Sequence, residues 1–413
     1  MKLLKNFSIY AFTSALNSGA VFFLLPFVTH YLTADEYGVY SIFLVVIQSA
    51  FILISLSCNG ALQVEYYKLD RDKFPIFVTT TIFLNSILFI LCLIFCLLFN
   101  KLLGNIIGVP SEWLWIIPII AFTQVIHQSI LAILQVQNKA VVFGVFNSAF
   151  AILNIGISIF SLKMLNSSWL GLLLSFLTAY LIIFIVGIVY LVKRKLLVYK
   201  IDSAYFKDIL KFGIPLIPHA LSGLVIEFGN RLFIAKLVSF KALGIYNTGF
   251  QVGKVISLLE TSFTQAYVPV LFENLTRNTK ESKLKIVKLS YMFLGFLLSS
   301  VFIISFLSPY VFKWFIGSIF QGGAQFVFII ALSYFFSGVY KMFVNFLFYT
   351  KKTYLLSIIA VVNIISSIIF NYYFIMKFGL KGAAYSLLCS QILNAIIVII
   401  VSNKIYKMPW LLK

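Results

Sequence analysis

HYLTADEYGVY, residues 30–40, and KLVSFKALGIY, residues 236–246, are one pattern written twice, 206 positions apart. Gly38 falls on Gly244 and Tyr40 on Tyr246. Further along, AILNI (151–155) matches AVVNI (360–364) with a shift of 209, and Gly171 matches Gly382 with a shift of 211. Three matches in the same order with nearly the same shift predict two halves of like orientation, related by an axis along a membrane normal. In each half the repeated stretch reads as the hairpin between the first two helices, with Gly supplying the tight turn and Tyr an anchor at the membrane interface.

The solvent of both halves is lipid. Of the 413 residues, 62 % are hydrophobic and 11 % charged, against about 25 % charged in soluble domains. Apolar runs recur at the length of about 20 residues that a helix needs to cross hydrocarbon. Twelve spans are expected, at 8–29, 38–60, 77–98, 114–135, 142–162, 169–191, 212–235, 244–268, 287–309, 323–345, 354–376 and 382–402. The fold class is therefore an all-α polytopic membrane protein, with two pseudo-symmetric six-helix bundles around a central cavity. An amino-terminal bundle (1–192) and a carboxy-terminal bundle (212–413) flank a cytoplasmic linker (193–211), whose mixed apolar and basic residues suit either a surface helix or a plain connection. The first run is expected to remain as a helix rather than be cleaved. Cys58, Cys92, Cys96 and Cys389 lack metal-ligand spacing and read as packing residues.

The net charge of +20 is a topology signal. Placing the amino terminus in the cytoplasm gives that side 22 Lys and Arg and the opposite loops 7, so both termini are expected there. Nucleic acid is excluded as a partner, because the basic residues are parcelled out loop by loop rather than gathered on one face. The acidic stretch EYYKLDRDKFP (65–75) reads as a solvated turn. No phosphate-cradling GxxxxGK[ST], HExxH or serine nucleophile elbow is present, and no metal or cofactor is implied. The chain is not expected to be an enzyme.

Polar residues inside the spans are expensive, at least about 2.5–3.5 kcal/mol for a charge, and they fall on stripes. His219, Gly223, Glu227, Asn230 and Arg231 recur at intervals of three and four in the seventh span. Lys254, Ser257, Thr261, Thr264 and Gln265 share a side of the eighth, with Glu260 beside it. Ser333, Ser337, Lys341 and Asn345 stand four apart in the tenth. The first half is milder: Ser14, Asn17 and Ser18, then Gln48, then Gln124, His127 and Gln128. Arg231 either pairs with Glu227 one turn back or is available to a ligand; Lys254 has Glu260 as its nearest candidate partner; Lys341, with no acid on its own helix, is expected to face the cavity. Arg231, Lys254 and Lys341 against Glu227 and Glu260 leave a net positive charge, which suits an anion with phosphate oxygens. Asn230, Gln124, Gln128, His127, Asn17, Gln48, Ser337 and Asn345 complete the candidate lining, with Glu227, Glu260 and His219 as charge-balancing or coupling groups.

FSIYAFTSALNSGAVFFLLPFVTHYLTADEYGVYSIFLV (7–45), with Pro26 and the L-x-x-x-E-Y-G-x-Y turn of Leu32, Glu36, Tyr37, Gly38 and Tyr40, resembles the polysaccharide flippase branch of the multidrug, oligosaccharidyl-lipid and polysaccharide exporter superfamily. So do GNRLFIAKLVSFKALGIYNTGFQV (229–252), SFTQAYVPVLFENL (262–275) with Pro269, and GLKGAAYSLLCSQ (379–391). The resemblance covers nearly the whole chain. It implies a MATE-like fold in the bacterial inner membrane and translocation of undecaprenyl-diphosphate-linked oligosaccharide repeat units from the cytoplasmic to the periplasmic leaflet. It further implies alternating access coupled to H+ or Na+, and a monomer working beside a polysaccharide polymerase and a chain-length regulator. Where many relatives have Asp before the Arg of the seventh helix, this chain has Asn230. Two related readings remain open, a flippase of the lipid-linked peptidoglycan precursor and a cation-coupled multidrug exporter; a polymerase is disfavoured by outer loops shorter than 20 residues.

Overall fold

A computed structural model describes residues 22–164, 168–350 and 354–410, with a few isolated positions before residue 22. Among the described residues ten helices are long and apolar enough to cross a membrane. The protein is an all-α, multi-pass membrane protein. Of the expected spans, 8–29 is described in its second part and at isolated positions before it, and 244–268 is divided between two helices with Lys254 between them.

The chain separates into two compact units, Met1–Leu224 and Val225–Lys413. The first contains α1 (Phe22–Tyr31), α2 (Ala34–Ser55), α3 (Cys58–Lys68), α4 (Phe74–Leu98), α5 (Asn100–Ile107), α6 (Ile116–Val136), α7 (Ala140–Met164), α8 (Trp169–Lys193) and α9 (Ser203–Gly213). The division falls within α10 (Ile217–Leu237), and the second unit continues with α11 (Phe240–Gly253), α12 (Val255–Arg277), α13 (Lys280–Phe315), α14 (Val327–Tyr349), α15 (Tyr354–Phe378) and α16 (Leu380–Ile405).

The repeated hairpins are built differently from the sequence expectation. Thr33 caps α2 in a reciprocal box with Glu36, and Ser239, 206 positions on, caps α11 by accepting from the Ala242 amide at 3.0 Å. Such caps are worth about 1 kcal/mol. They satisfy the first amides of each helix, so no glycine turn is needed: Gly38 and Gly244 lie inside α2 and α11. Tyr40 and Tyr246 are buried rather than set at an interface, and the Tyr246 hydroxyl accepts the Asn230 side-chain amide at 2.6 Å.

Each unit is organised on one helix. In the first it is α6, which packs on α2, α3, α4, α7 and α8; its most apolar stretch is 83 % buried, against 22 % for that of α4. In the second it is α14, packed on α11, α12, α13 and α16. Small residues allow this close approach. A Cβ on Gly338 of α14 would stand 2.6 Å from Leu297 Cδ1 of α13 and 3.5 Å from Glu260 Cγ of α12.

The 193–211 connection includes α9, and it is docked. Asp202 caps α9 at the Ala204 amide, 2.8 Å away. The Val198 and Asp202 amides donate to Thr79 and Thr80 of α4 at 3.0 and 3.2 Å. At the other end Gly213 abuts Leu56, where α2 gives way to α3 through two left-handed residues, Leu56 (φ 45°) and Ser57 (φ 55°). In the 65–75 turn, exposed Lys73 lies 2.7 Å from Asp70 and holds that carboxyl below its usual range.

A Cβ on Gly213 would lie 2.8 Å from Leu56 Cβ, so Gly213→Val is expected to destabilise the protein by roughly 1–3 kcal/mol, the usual cost of overpacking. Gly156→Ala, in a part of α7 where a Cβ meets nothing within 4 Å, should be neutral or stabilising. Thermal unfolding of the two purified variants in detergent checks the contrast.

Candidate functional site

The charged residues of the spans gather in the second unit, around α14. α10 supplies Glu227 and Arg231, the junction of α11 and α12 supplies Lys254, α12 supplies Glu260 and Thr261, and α14 supplies Tyr334, Ser337 and Lys341. Tyr334, Ser337 and Lys341 stand at i, i+3 and i+7, one face of a helix, so α14 presents all three hydroxyl and amine heads to the carboxylates of its neighbours.

Two ion pairs result. Lys254 binds Glu227 Oε1, which also accepts from the Tyr334 hydroxyl at 3.2 Å. Lys341 Nζ lies 2.9 Å from Glu260 Oε1, which accepts from Ser337 Oγ at the same distance; Thr261 Oγ1 is 3.5 Å from the ammonium. The pairs differ in their access to open space. The side chains of Lys254 and Glu227 are 34 % and 29 % exposed, whereas Lys341 is 35 % exposed and Glu260 not at all. Glu260 Oε2 is buried and makes no hydrogen bond among the described residues.

Arg231 is 2 % exposed. Its guanidinium lies over the rings of Phe228 and Phe250, 4.6 and 4.9 Å from their centroids. Lys254 stands over the same two rings at 5.0 and 5.8 Å. Phe228 and Phe250 are each within cation–π distance of both cations, contacts favourable through the ring quadrupole.

The pairing corrects the sequence expectations. Glu227 takes Lys254 rather than forming the one-turn pair with Arg231, Glu260 takes Lys341 rather than Lys254, and Lys341 is not an uncompensated cation. Spacing along one helix reports neighbours on that helix, while these bonds run from α10 to the α11–α12 junction and from α12 to α14. Tyr334, Phe228 and Phe250 were not expected at the site; the i, i+3, i+7 spacing of Tyr334 with Ser337 and Lys341 carries that information once tyrosine is counted as polar.

The remaining candidates are dispersed. Asn230 is buried on Tyr246, and Asn345 donates back to the Lys341 carbonyl at 2.6 Å. Gln124 and His127 are buried in the first unit and Gln48, Gln128 and His219 are half-buried there. His127 packs 5.6 Å from the Phe150 ring and 6.0 Å from Tyr180, the setting of a core aromatic. Ser14, Asn17 and Ser18, and the side chains of Gln265 and Pro269, lie outside the described residues.

A family model described as "Polysaccharide biosynthesis protein" matches residues 3–275, well over half of the chain. The chain belongs to this polysaccharide biosynthesis protein family. It is 26 % identical over 377 residues to the Lsg locus putative protein 1 of Haemophilus influenzae, covering 88 % of this chain and 89 % of that one. An uncharacterized membrane protein of the same organism is 27 % identical over 388 residues, covering 88 % of each. Among solved structures, an inward-facing multidrug resistance MATE family transporter of the MOP superfamily superposes with a TM-score of 0.76 at 14 % identity, covering 95 % of this chain and 94 % of that one. The lipid II flippase MurJ, in an inward closed conformation, gives 0.74 at 18 %, covering 96 % and 87 %. The family member thus has the MOP-superfamily fold.

Breaking a buried pair strands its partner. Lys341→Met is expected to destabilise the protein by roughly 3–5 kcal/mol, and adding Glu260→Gln should recover most of that loss. Denaturant unfolding of the single and double variants in mixed micelles measures the coupling; additive losses would mean that the two side chains do not act as a pair.

Proposed function

We propose that this family member is a flippase that moves undecaprenyl-diphosphate-linked oligosaccharide repeat units from the cytoplasmic to the periplasmic leaflet of the bacterial inner membrane. The observation that carries the reading is the cation excess within the second unit: Arg231, Lys254 and Lys341 against Glu227 and Glu260. A buried site with one more cation than carboxylates favours an anion, and a diphosphate offers the oxygens that ammonium groups suit. Membership of a polysaccharide biosynthesis family supports a glycan attached to that anion, and a transporter fold supports movement rather than synthesis.

In this reading the chain crosses the membrane twelve times, in bundles at 1–192 and 212–413 with both termini in the cytoplasm, and works by alternating access with H+ or Na+ coupling. Lys254 and Lys341, each about a third exposed, offer their ammonium groups directly to the diphosphate. Arg231 raises the local potential from beside Phe228 and Phe250, and Glu227 keeps the site from gripping the ligand too tightly to release it. Asn230, Ser337 and Asn345 support these groups; Asn17, Gln48, Gln124, His127 and Gln128 of the first bundle, and His219 of the second, serve the glycan or the coupling ion. A peptidoglycan precursor is the second reading, favoured by the fold likeness to the lipid II flippase MurJ.

Arg231→Ala is expected to lower translocation about ten-fold or more, the scale of losing a charged partner, at unchanged abundance in the membrane. Arg231→Lys should retain much of the activity, because charge acting through the rings needs no bidentate fork. Lipid-linked repeat units accumulating on the cytoplasmic leaflet, normalised to protein level, give the measurement. Full activity of Arg231→Ala would remove this residue from the site.

A further inference from the structure

Glu260 is the most deeply buried charge-bearing group of the site, and its two oxygens are treated unequally. Oε1 receives Lys341 Nζ and Ser337 Oγ, each at 2.9 Å. Oε2 has neither open surface nor a hydrogen-bond partner among the described residues. The surroundings offer little to replace Lys341. From α14 come Ser337, Lys341 and the Cβ-less Gly338; from α13, Leu297 and Phe293 meet α14 at that same glycine. Thr264, one turn along α12, is committed to the Glu260 backbone carbonyl at 2.8 Å. The other charged groups of the cluster are Glu227, which repels a carboxylate, and Lys254, which Glu227 holds; Tyr334 donates to Glu227, and Arg231 lies over Phe228 and Phe250.

Lys341 stands at a boundary, with buried Glu260 on one side and, its side chain being 35 % exposed, open volume on the other. An arriving diphosphate, with more negative charge than one carboxylate, draws the ammonium toward that open volume. Glu260 is then left as an anion held by one hydroxyl and with no exposed side-chain surface, a state costing several kcal/mol. Such a group neutralises instead of staying charged. We propose that Glu260 takes up one proton, on Oε2, when a diphosphate engages Lys341, and gives it back when the diphosphate leaves. This rests on the reading of the site as a diphosphate receptor and adds to it a charge-balancing proton on a named atom.

The step balances without a further reactant. One proton from the buffered solvent, whose buffer acid is left as its conjugate base, joins the Oε2 lone pair, the carboxylate becomes a neutral acid, and the ion pair passes from Glu260 to the diphosphate. Glu227 does not share this role, because Lys254 and Tyr334 both bind it and it is 29 % exposed; it remains an anion. Anion affinity and proton affinity are then reciprocally linked, each raising the other.

The test is calorimetric titration of the purified full-length protein in nanodiscs with farnesyl diphosphate, at one pH in Tris and in HEPES, whose ionisation enthalpies differ. The dependence of heat on buffer counts the protons taken up. Wild type is expected to take up about one proton more than Glu260→Gln per bound diphosphate; protonation of the ligand itself is common to both and cancels. Lys341→Met, in which Glu260 has no ammonium to lose, should bind at least about ten-fold more weakly and show no extra proton. Equal proton counts in wild type and Glu260→Gln, with binding intact, overturn the inference and leave the diphosphate reading standing. An absence of binding by folded wild type overturns the diphosphate reading, and the proton with it.

Discussion

A carboxylate with no exposed surface, inside a helix bundle in lipid, must meet a cation or be neutral. Glu260 meets this constraint through Lys341, and much of the second unit follows from bringing the two together. α12 and α14 have to approach closely enough for a 2.9 Å contact, and Gly338 lets α13 close on α14 beside them, since a Cβ there would stand 2.6 Å from Leu297 Cδ1 but at ordinary contact distance from Glu260 Cγ. Ser337, one position earlier on the same helix, adds a second donor to the same oxygen. The helix at the centre of the unit is thus also the one that neutralises its most buried charge, so packing and electrostatics depend on the same few residues of α14.

What the sequence made legible follows from what is periodic. Hydrophobic runs repeat at the thickness of a bilayer, so the multi-span class was readable, and the stripe containing Ser337 and Lys341 repeats at the helical period, so its interest was readable too. The partners of the charges were not. Glu227 and Lys254 are 27 positions apart, Lys341 and Glu260 are 81, and nothing along one helix specifies which neighbouring helix will face it. Tyrosine misled in both directions: Tyr246 is buried on Asn230, and Tyr334 serves Glu227 while looking like one more apolar residue. The repeated hairpins held the right signal at the wrong positions, since Thr33 and Ser239 do by capping what Gly38 and Gly244 were expected to do by bending.

The two organising helices show how one scaffold carries different chemistry. In the first unit α6 bears Gln124, His127 and Gln128, groups that are neutral or able to be neutral, and His127 packs among Phe150 and Tyr180 as a ring. In the second unit α14 bears Lys341, and the neighbouring helices supply carboxylates and further cations. A neutral polar group in a bundle core costs far less than a charge and can be satisfied locally, as Ser129 is by the Val125 carbonyl one turn back at 2.9 Å. A charge needs an opposite charge as well as hydrogen bonds, and here that compensation comes from another helix, which sets the spacing between them. In the first unit polar side-chain contacts between helices are made by neutral groups, such as Ser129 with Asn59 and Gln63 with Gln135. In the second, replacing any one of Glu227, Lys254, Glu260 or Lys341 alters the charge balance at a partner on a different element, so that its chemistry is constrained as a set.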